Sequence, residues 1–93
     1  MLFRSRRRIL LVLPATLRKQ WQLELAEKFA LPSIIMEGRS YNAARKAGAT
    51  NPFDAPGSVV ICSYPFAASK ANDIRAIPWD LVVLDEEIGR AHV

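Results

Sequence analysis

The chain has 93 residues, of which 51% are hydrophobic and 24% charged, and its formal net charge is +4. This length allows one domain at most. The composition is typical of a globular protein, and no apolar run approaches the roughly 20 residues of a membrane-spanning helix. A single cysteine, Cys62, excludes an internal disulfide framework and fits a reducing compartment.

Basic residues are concentrated at the start of the chain, where Arg4, Arg6, Arg7 and Arg8 precede an apolar run at 9–13. The run is too short for a secretory signal peptide and no small-residue cleavage site follows it, so we expect a cytoplasmic protein. The positive charge suits contact with a nucleic-acid phosphate backbone. A solvated chain terminus is the alternative interpretation.

Four apolar, β-prone runs follow one another along the chain, at 9–13, 33–36, 59–62 and 81–84. The segments between them are about 20 residues long, which is enough for helical crossover connections. This alternation predicts an α/β domain in which helices pack on a mainly parallel sheet.

The first connection carries the best helix signal, an apolar stripe that recurs every four residues. Its members are Leu17, Trp21, Leu25 and Phe29. Pro14 suits the helix entry and Pro32 lies just past its end. The second connection is compatible with two helical turns at 41–47 and a loop at 51–57, and the third with a helix at 66–76.

The run at 81–84 has the composition of a central strand buried on both faces, and Asp85 and Glu86 follow it. Ligands of parallel α/β sheets bind just beyond the carboxyl ends of the strands. An acid pair there can hold a hydrated Mg²⁺ and orient the water that attacks a nucleoside triphosphate. A surface turn after a core strand is the alternative.

Other sequence signatures of catalysis are missing. No glycine is followed by the Lys-Ser or Lys-Thr of a phosphate-binding loop. The only histidine, His92, lies at the end of the chain, and clusters of cysteine and histidine with metal-ligand spacing are absent.

Three segments, taken in order, resemble the motifs of a known family. The segment ILLVLPATL at 9–17, followed by Gln20-Trp21 and Glu24-Leu25, is similar to motif Ia of superfamily 2 helicases of the Swi/Snf-like group. The segment VVICSY at 59–64 resembles their next nucleic-acid-contacting motif, Ib, and PWDLVVLDE at 78–86 resembles the approach to motif II, the DEAH box. The segment NPFD at 51–54 is most similar to the subgroup of the bacterial RNA-polymerase-associated ATPase.

This resemblance implies that residues 1–87 form part of a RecA-like (P-loop NTPase) lobe that lacks the Walker A strand-loop-helix. It implies an ATP-dependent DNA translocase or helicase that uses ATP and Mg²⁺. One partner would be DNA, and the other would be RNA polymerase or another nucleoprotein complex. Asp85 would coordinate Mg²⁺ and Glu86 would polarise the attacking water. The residues implied to face the DNA backbone are Pro14, Ala15, Thr16, Arg18, Gln20, Ser63 and Tyr64.

The end of the chain departs from the family pattern, in which Ala-His follows the acid pair. The segment IGRAHV at 88–93 is one reading frame of a common sequencing adapter, ATC GGA AGA GCA CAC GTC. We therefore interpret residues 88–93 as a non-native tail, Glu87 as the junction, and His92 as unrelated to the motif.

Two other functions are compatible with the residues. One is a receiver-like signalling domain with Asp85 as phosphoacceptor, although Pro14, Ala15 and Thr16 stand where receivers carry an acidic pair. The other is a small basic nucleic-acid-binding module without catalysis. Because the phosphate-binding loop is missing, we expect the 93-residue chain by itself not to hydrolyse ATP.

Overall fold

The structure, a computed structural model, describes residues 7–85. Its sheet has four strands, all parallel, in the spatial order β2-β3-β1-β4. The strands are β1 (Ile9–Val12), β2 (Ser33–Ile35), β3 (Val59–Cys62) and β4 (Leu81–Leu84). The helices are α1 (Arg18–Phe29), α2 (Gly38–Lys46), α3 (Tyr64–Ser69) and α4 (Ala71–Arg75), and a 3₁₀ turn (Ala15–Leu17) precedes α1. The predicted α/β fold with a parallel sheet is confirmed.

The connections place one helix on one face of the sheet and three on the other. Helix α1 follows β1 and packs on one face as the chain crosses to β2. The chain then reverses its direction along the sheet, and α2, α3 and α4 pack on the opposite face. Crossover connections between parallel strands are right-handed, so the helices move to the other face of the sheet when the direction of crossing reverses.

The core therefore has two layers, which share the central strands β1 and β3. Alternate residues of each strand point to opposite faces, so Leu10 and Val60 contact the α2–α4 layer while Leu11 and Ile61 contact α1. All four residues of β3 are buried. This burial on both faces explains why β1 and β3 are continuous apolar runs.

Most predicted elements lie where the sequence places them. β3 and β4 match their predicted runs, and β1 and β2 each end one residue earlier than expected. The helix predicted at 66–76 is divided at Lys70, whose φ of −115° and ψ of 27° interrupt it between α3 and α4. The loop at 51–57 contributes Phe53 to the core, where the side chain is fully buried.

The apolar stripe of α1 is shorter than predicted. Leu25 is buried, and Leu17 and Trp21 pack against the same cluster. Phe29, in contrast, is 63% exposed. A spacing of four residues exceeds the helical repeat of 3.6, so each step turns about 40° and the fourth position points well away from the first.

The prediction that 81–84 forms a central strand buried on both faces is wrong. Within residues 7–85, β4 pairs only with β1 and forms an edge of the sheet. Its four side chains are all exposed, from 38% at Val83 to 60% at Leu84. Among residues 7–85, no helix or further strand covers β4, so its apolar composition does not lead to burial here.

Arg8 connects segments at the amino ends of the strands. Its Nε lies 2.8 Å from Asp54 Oδ1, and its backbone N–H donates to Asp80 Oδ2 at 2.8 Å. Arg8 thus connects the start of β1 to the loop before β3 and to the entry of β4. Arg4 and Arg6 lie outside the described residues. Within residues 7–85, no helix is long and apolar enough to cross a membrane.

Candidate functional site

The carboxyl ends of β3, β1 and β4 lie side by side. Val12 at the end of β1 is in register with Cys62 of β3 and Leu84 of β4. The next residue after β1, Leu13, donates its N–H to Cys62 O at 3.1 Å, and Asp85 donates its N–H to Val12 O at 2.8 Å. The three segments that resemble helicase motifs therefore leave the sheet at one edge, from neighbouring strands.

A crevice is expected between the ends of β1 and β3. These strands are adjacent, but the helix that follows β1 packs on one face and the helix that follows β3 packs on the other. Where adjacent connections diverge in this way, parallel α/β sheets bind their ligands. This position, rather than the end of β4, is the strongest candidate site in the fold.

One wall of the crevice is the turn that follows β1. Pro14 is extended, with φ of −59° and ψ of 141°, and it precedes the 3₁₀ turn that leads into α1. The Leu17 N–H donates to Pro14 O at 2.9 Å and closes this turn. Ala15 and Thr16 are consequently held at the surface, and both are exposed. Three of the predicted DNA-facing residues thus share one turn, on which Ala15 and Thr16 are accessible.

Two further predicted residues lie in the first turn of α1. Gln20 is exposed. Arg18 is not free, because its Nη1 lies 2.9 Å from Glu37 Oε1 and its Nε donates to Ala15 O at 3.0 Å. The guanidinium is thus anchored at both ends before any ligand arrives.

The other wall is the start of α3, where Ser63 and Tyr64 have structural roles. Ser63 is 8% exposed and is the N-cap of α3, accepting a hydrogen bond from the Phe66 N–H at 3.3 Å. Tyr64 is half-buried and packs against the core layer beneath α2 and α3. Both residues follow the carboxyl end of β3, but Ser63 offers little surface to a ligand.

Asp85 lies at this edge too, on the far side of β1 from Ser63, and is half-buried. A single carboxylate fits Mg²⁺, which commonly binds proteins through one or two carboxylates and completes its shell with water and phosphate oxygens. Glu86, the predicted water-polarising residue, lies outside the described residues. Among residues 7–85, no group of three or more His, Cys, Asp or Glu side chains could hold a metal ion.

The electrostatics beneath the crevice are visible at Cys62, whose side chain is fully buried at the end of β3. Burial raises the pKa of this thiol to about 11, and the positive charge of Arg18 opposes that increase. The thiol is therefore neutral at physiological pH, and Cys62 packs in the core. The effect of Arg18 shows that its charge acts at the end of β3.

Glu37, the partner of Arg18, was not predicted as a site residue from the sequence. Glu37 follows β2 and is the N-cap residue of α2. Its position after a predicted strand was the available signal, because all carboxyl ends of a parallel sheet meet at one edge. No protein-family model matches the chain.

Proposed function

We propose that the carboxyl edge of this sheet contacts the DNA backbone, and that the chain is part of an ATP-dependent DNA translocase or helicase with a RecA-like lobe. The observation that carries the proposal is the register of β3, β1 and β4, which gathers Pro14–Thr16, Ser63 and Asp85 at one edge. The sequence resemblance assigns these segments to DNA contact and to the nucleotide, and a shared edge is what that assignment requires.

The DNA part of the proposal rests on accessible groups near the crevice. Ala15, Thr16 and Gln20 are exposed, and the Arg18 guanidinium lies beside them. Arginine and backbone or side-chain amides are the usual donors to phosphate oxygens. Contacts of this kind fix a protein on a nucleic acid without reading its sequence.

The nucleotide part rests on Asp85 and is the less supported of the two. When bound, Mg²⁺ would neutralise phosphate charge, and Asp85 would hold it. Asp85 emerges from an edge strand rather than from the middle of the sheet. The wrong prediction for β4 therefore affects this part of the proposal and leaves the β1–β3 crevice unchanged.

A matched pair of charge insertions tests the DNA part. Ala15→Glu places a carboxylate on the turn after β1, and Ala76→Glu places one at another exposed alanine, after α4. A negative charge within about 4–6 Å of a phosphate costs of order 1 kcal/mol or more. We expect Ala15→Glu to weaken binding of a fluorescent DNA duplex by about fivefold or more in an anisotropy titration.

Ala76→Glu changes the net charge equally, so it should weaken DNA binding by much less. Equal loss in both variants would show that only overall charge matters. Absence of DNA binding by the wild-type chain at low salt would contradict the proposal.

A phosphate-release assay tests the expectation for ATP. We expect no Mg²⁺- and DNA-dependent turnover from the 93-residue chain, because phosphoryl transfer requires groups that hold the β- and γ-phosphates. Turnover above background that disappears in Asp85→Ala would show that Asp85 belongs to a more complete site than the sequence indicates.

A further inference from the structure

The Arg18–Glu37 ion pair spans the end of the central strand β3. Arg18 begins α1 after β1, and Glu37 precedes α2 after β2, while β3 lies between β1 and β2. Arg18 Nη1 and Glu37 Oε1 are 2.9 Å apart, although the two residues belong to helices on opposite faces of the sheet. The pair therefore bridges the segments that follow β1 and β2, across the carboxyl end of β3.

Glu37 is an unusual choice for its local structural role. N-cap positions favour Ser, Thr, Asp and Asn, and the common capping box has Ser or Thr at the N-cap with Glu three residues later. Here the order is reversed: the Glu37 side chain accepts from the Ser40 N–H, and the Glu37 N–H donates to Ser40 Oγ at 2.9 Å. A shorter N-cap side chain could accept the same backbone hydrogen bond, whereas an ion pair with Arg18 requires a carboxylate.

Carboxylate and phosphate oxygens both accept hydrogen bonds from a guanidinium, and Glu37 accepts one such bond, from Arg18 Nη1. We propose that Glu37 holds the place on Arg18 that a nucleic-acid phosphate would take, and so sets the anion affinity of this edge. The inference rests on the proposed function for its physiological ligand. Glu37 is a specificity-determining residue because a bound anion has to displace its carboxylate.

The exposure of the pair makes this displacement feasible. The side chains of Arg18 and Glu37 are 24% and 45% exposed. Ion pairs with this access to water are weak and are screened by salt. A polyanion with many phosphates can compete with a single carboxylate, whereas an isolated anion at low concentration competes poorly. Glu37 would thus favour polyanions over single anions.

The first test measures DNA binding by anisotropy over a range of salt concentrations for the wild type, Glu37→Gln, Arg18→Gln and the double variant. We expect Glu37→Gln to bind about three- to tenfold more tightly. The slope of log K against log salt should steepen by about 0.7–0.9, which corresponds to one additional phosphate contact. In the Arg18→Gln background, Glu37→Gln should increase the DNA affinity by no more than the control Glu27→Gln does.

The control is Glu27→Gln, which removes one negative charge from an exposed position on α1. Glu37→Ser is a second variant that keeps an N-cap side chain and removes the carboxylate. Circular dichroism of each variant checks that the fold is retained. Equal effects of Glu27→Gln and Glu37→Gln would overturn the inference, as would unchanged binding by both Glu37 variants.

A second test separates this inference from the proposed function. Pyrophosphate is titrated into ¹⁵N-labelled chain, and the Nε–Hε signal of Arg18 is followed by NMR. We expect saturable shifts at lower pyrophosphate concentration in Glu37→Gln than in the wild type. If no variant binds DNA but this difference is seen, the proposed function fails and the role of Glu37 stands. If DNA binds and Arg18 responds identically with and without the Glu37 carboxylate, only the inference fails.

Discussion

Phe53 is the residue whose removal should damage this domain most. It comes from the loop between α2 and β3, yet its side chain is fully buried. Its ring lies 6.2 Å from the ring of Tyr41 and 6.2 Å from that of Phe66, measured between centroids. Phe53 thus joins a loop, α2 and α3 in one aromatic cluster against the sheet. Phe53→Ala removes the centre of this cluster.

The expected loss follows from the buried area. A buried phenylalanine removes about 150–250 Å² from water, which at about 25 cal/mol per Å² corresponds to about 4–6 kcal/mol. Alanine still buries part of this area, whereas the lost aromatic contacts and the new cavity each add to the destabilisation. We expect Phe53→Ala to lower the free energy of unfolding by about 3–5 kcal/mol. Domains of this size have about 5–15 kcal/mol in total.

Urea unfolding followed by far-UV circular dichroism measures this change. Small domains have m-values of about 1–3 kcal/mol/M, so the midpoint should fall by about 1–5 M, or the variant should be unfolded without urea. Phe29→Ala is the matched control, because Phe29 is 63% exposed at the end of α1. It should change stability by about 0.5 kcal/mol or less. A Phe53→Ala variant within about 1 kcal/mol of the wild type, or equal losses in both variants, would refute the argument.

Three further predictions concern the backbone, the thiol and the edge strand. Ala30→Gly should raise the free energy of unfolding by about 0.5–1 kcal/mol in the same urea assay. The reason is that Ala30 ends α1 with φ of 53°, where glycine is unstrained. A loss of stability would contradict this prediction. The pKa of Cys62 is about 11 in the folded chain against an ordinary 9.0, so the folded state keeps a proton that the unfolded state loses. The free energy of unfolding should therefore fall by about 2 kcal/mol between pH 9 and pH 11. Cys62→Ala should remove that part of the pH dependence, and an unchanged pH profile would be the contrary result. Exposed edge strands such as β4 can pair with a second chain, so we expect the wild type to associate as its concentration rises in sedimentation velocity and Val82→Lys to associate less. The stability of this variant should change by about 0.5 kcal/mol or less, and equal association of the two proteins would show that β4 is not the contact.

The sequence by itself determined the local elements and their class. Four apolar runs at crossover spacing predicted a parallel sheet, and the structure has parallel strands at each of them. These signals are readable because they depend on the spacing of neighbouring residues along the chain. The common edge for the residues after β1, β3 and β4 was also predictable, since all parallel strands end on the same side.

Only the tertiary structure decided how far each element is buried and which side chains meet. β4 and β3 are both apolar runs, but β3 lies between two strands and β4 at an edge, so strand order sets their exposure. Phe53 is in a segment with turn-forming composition, and nothing local shows that its ring reaches the core. Arg18 and Glu37 meet across β3 because two helices start at the same edge of the sheet. Such contacts join residues distant in sequence, and the packing of whole elements creates them.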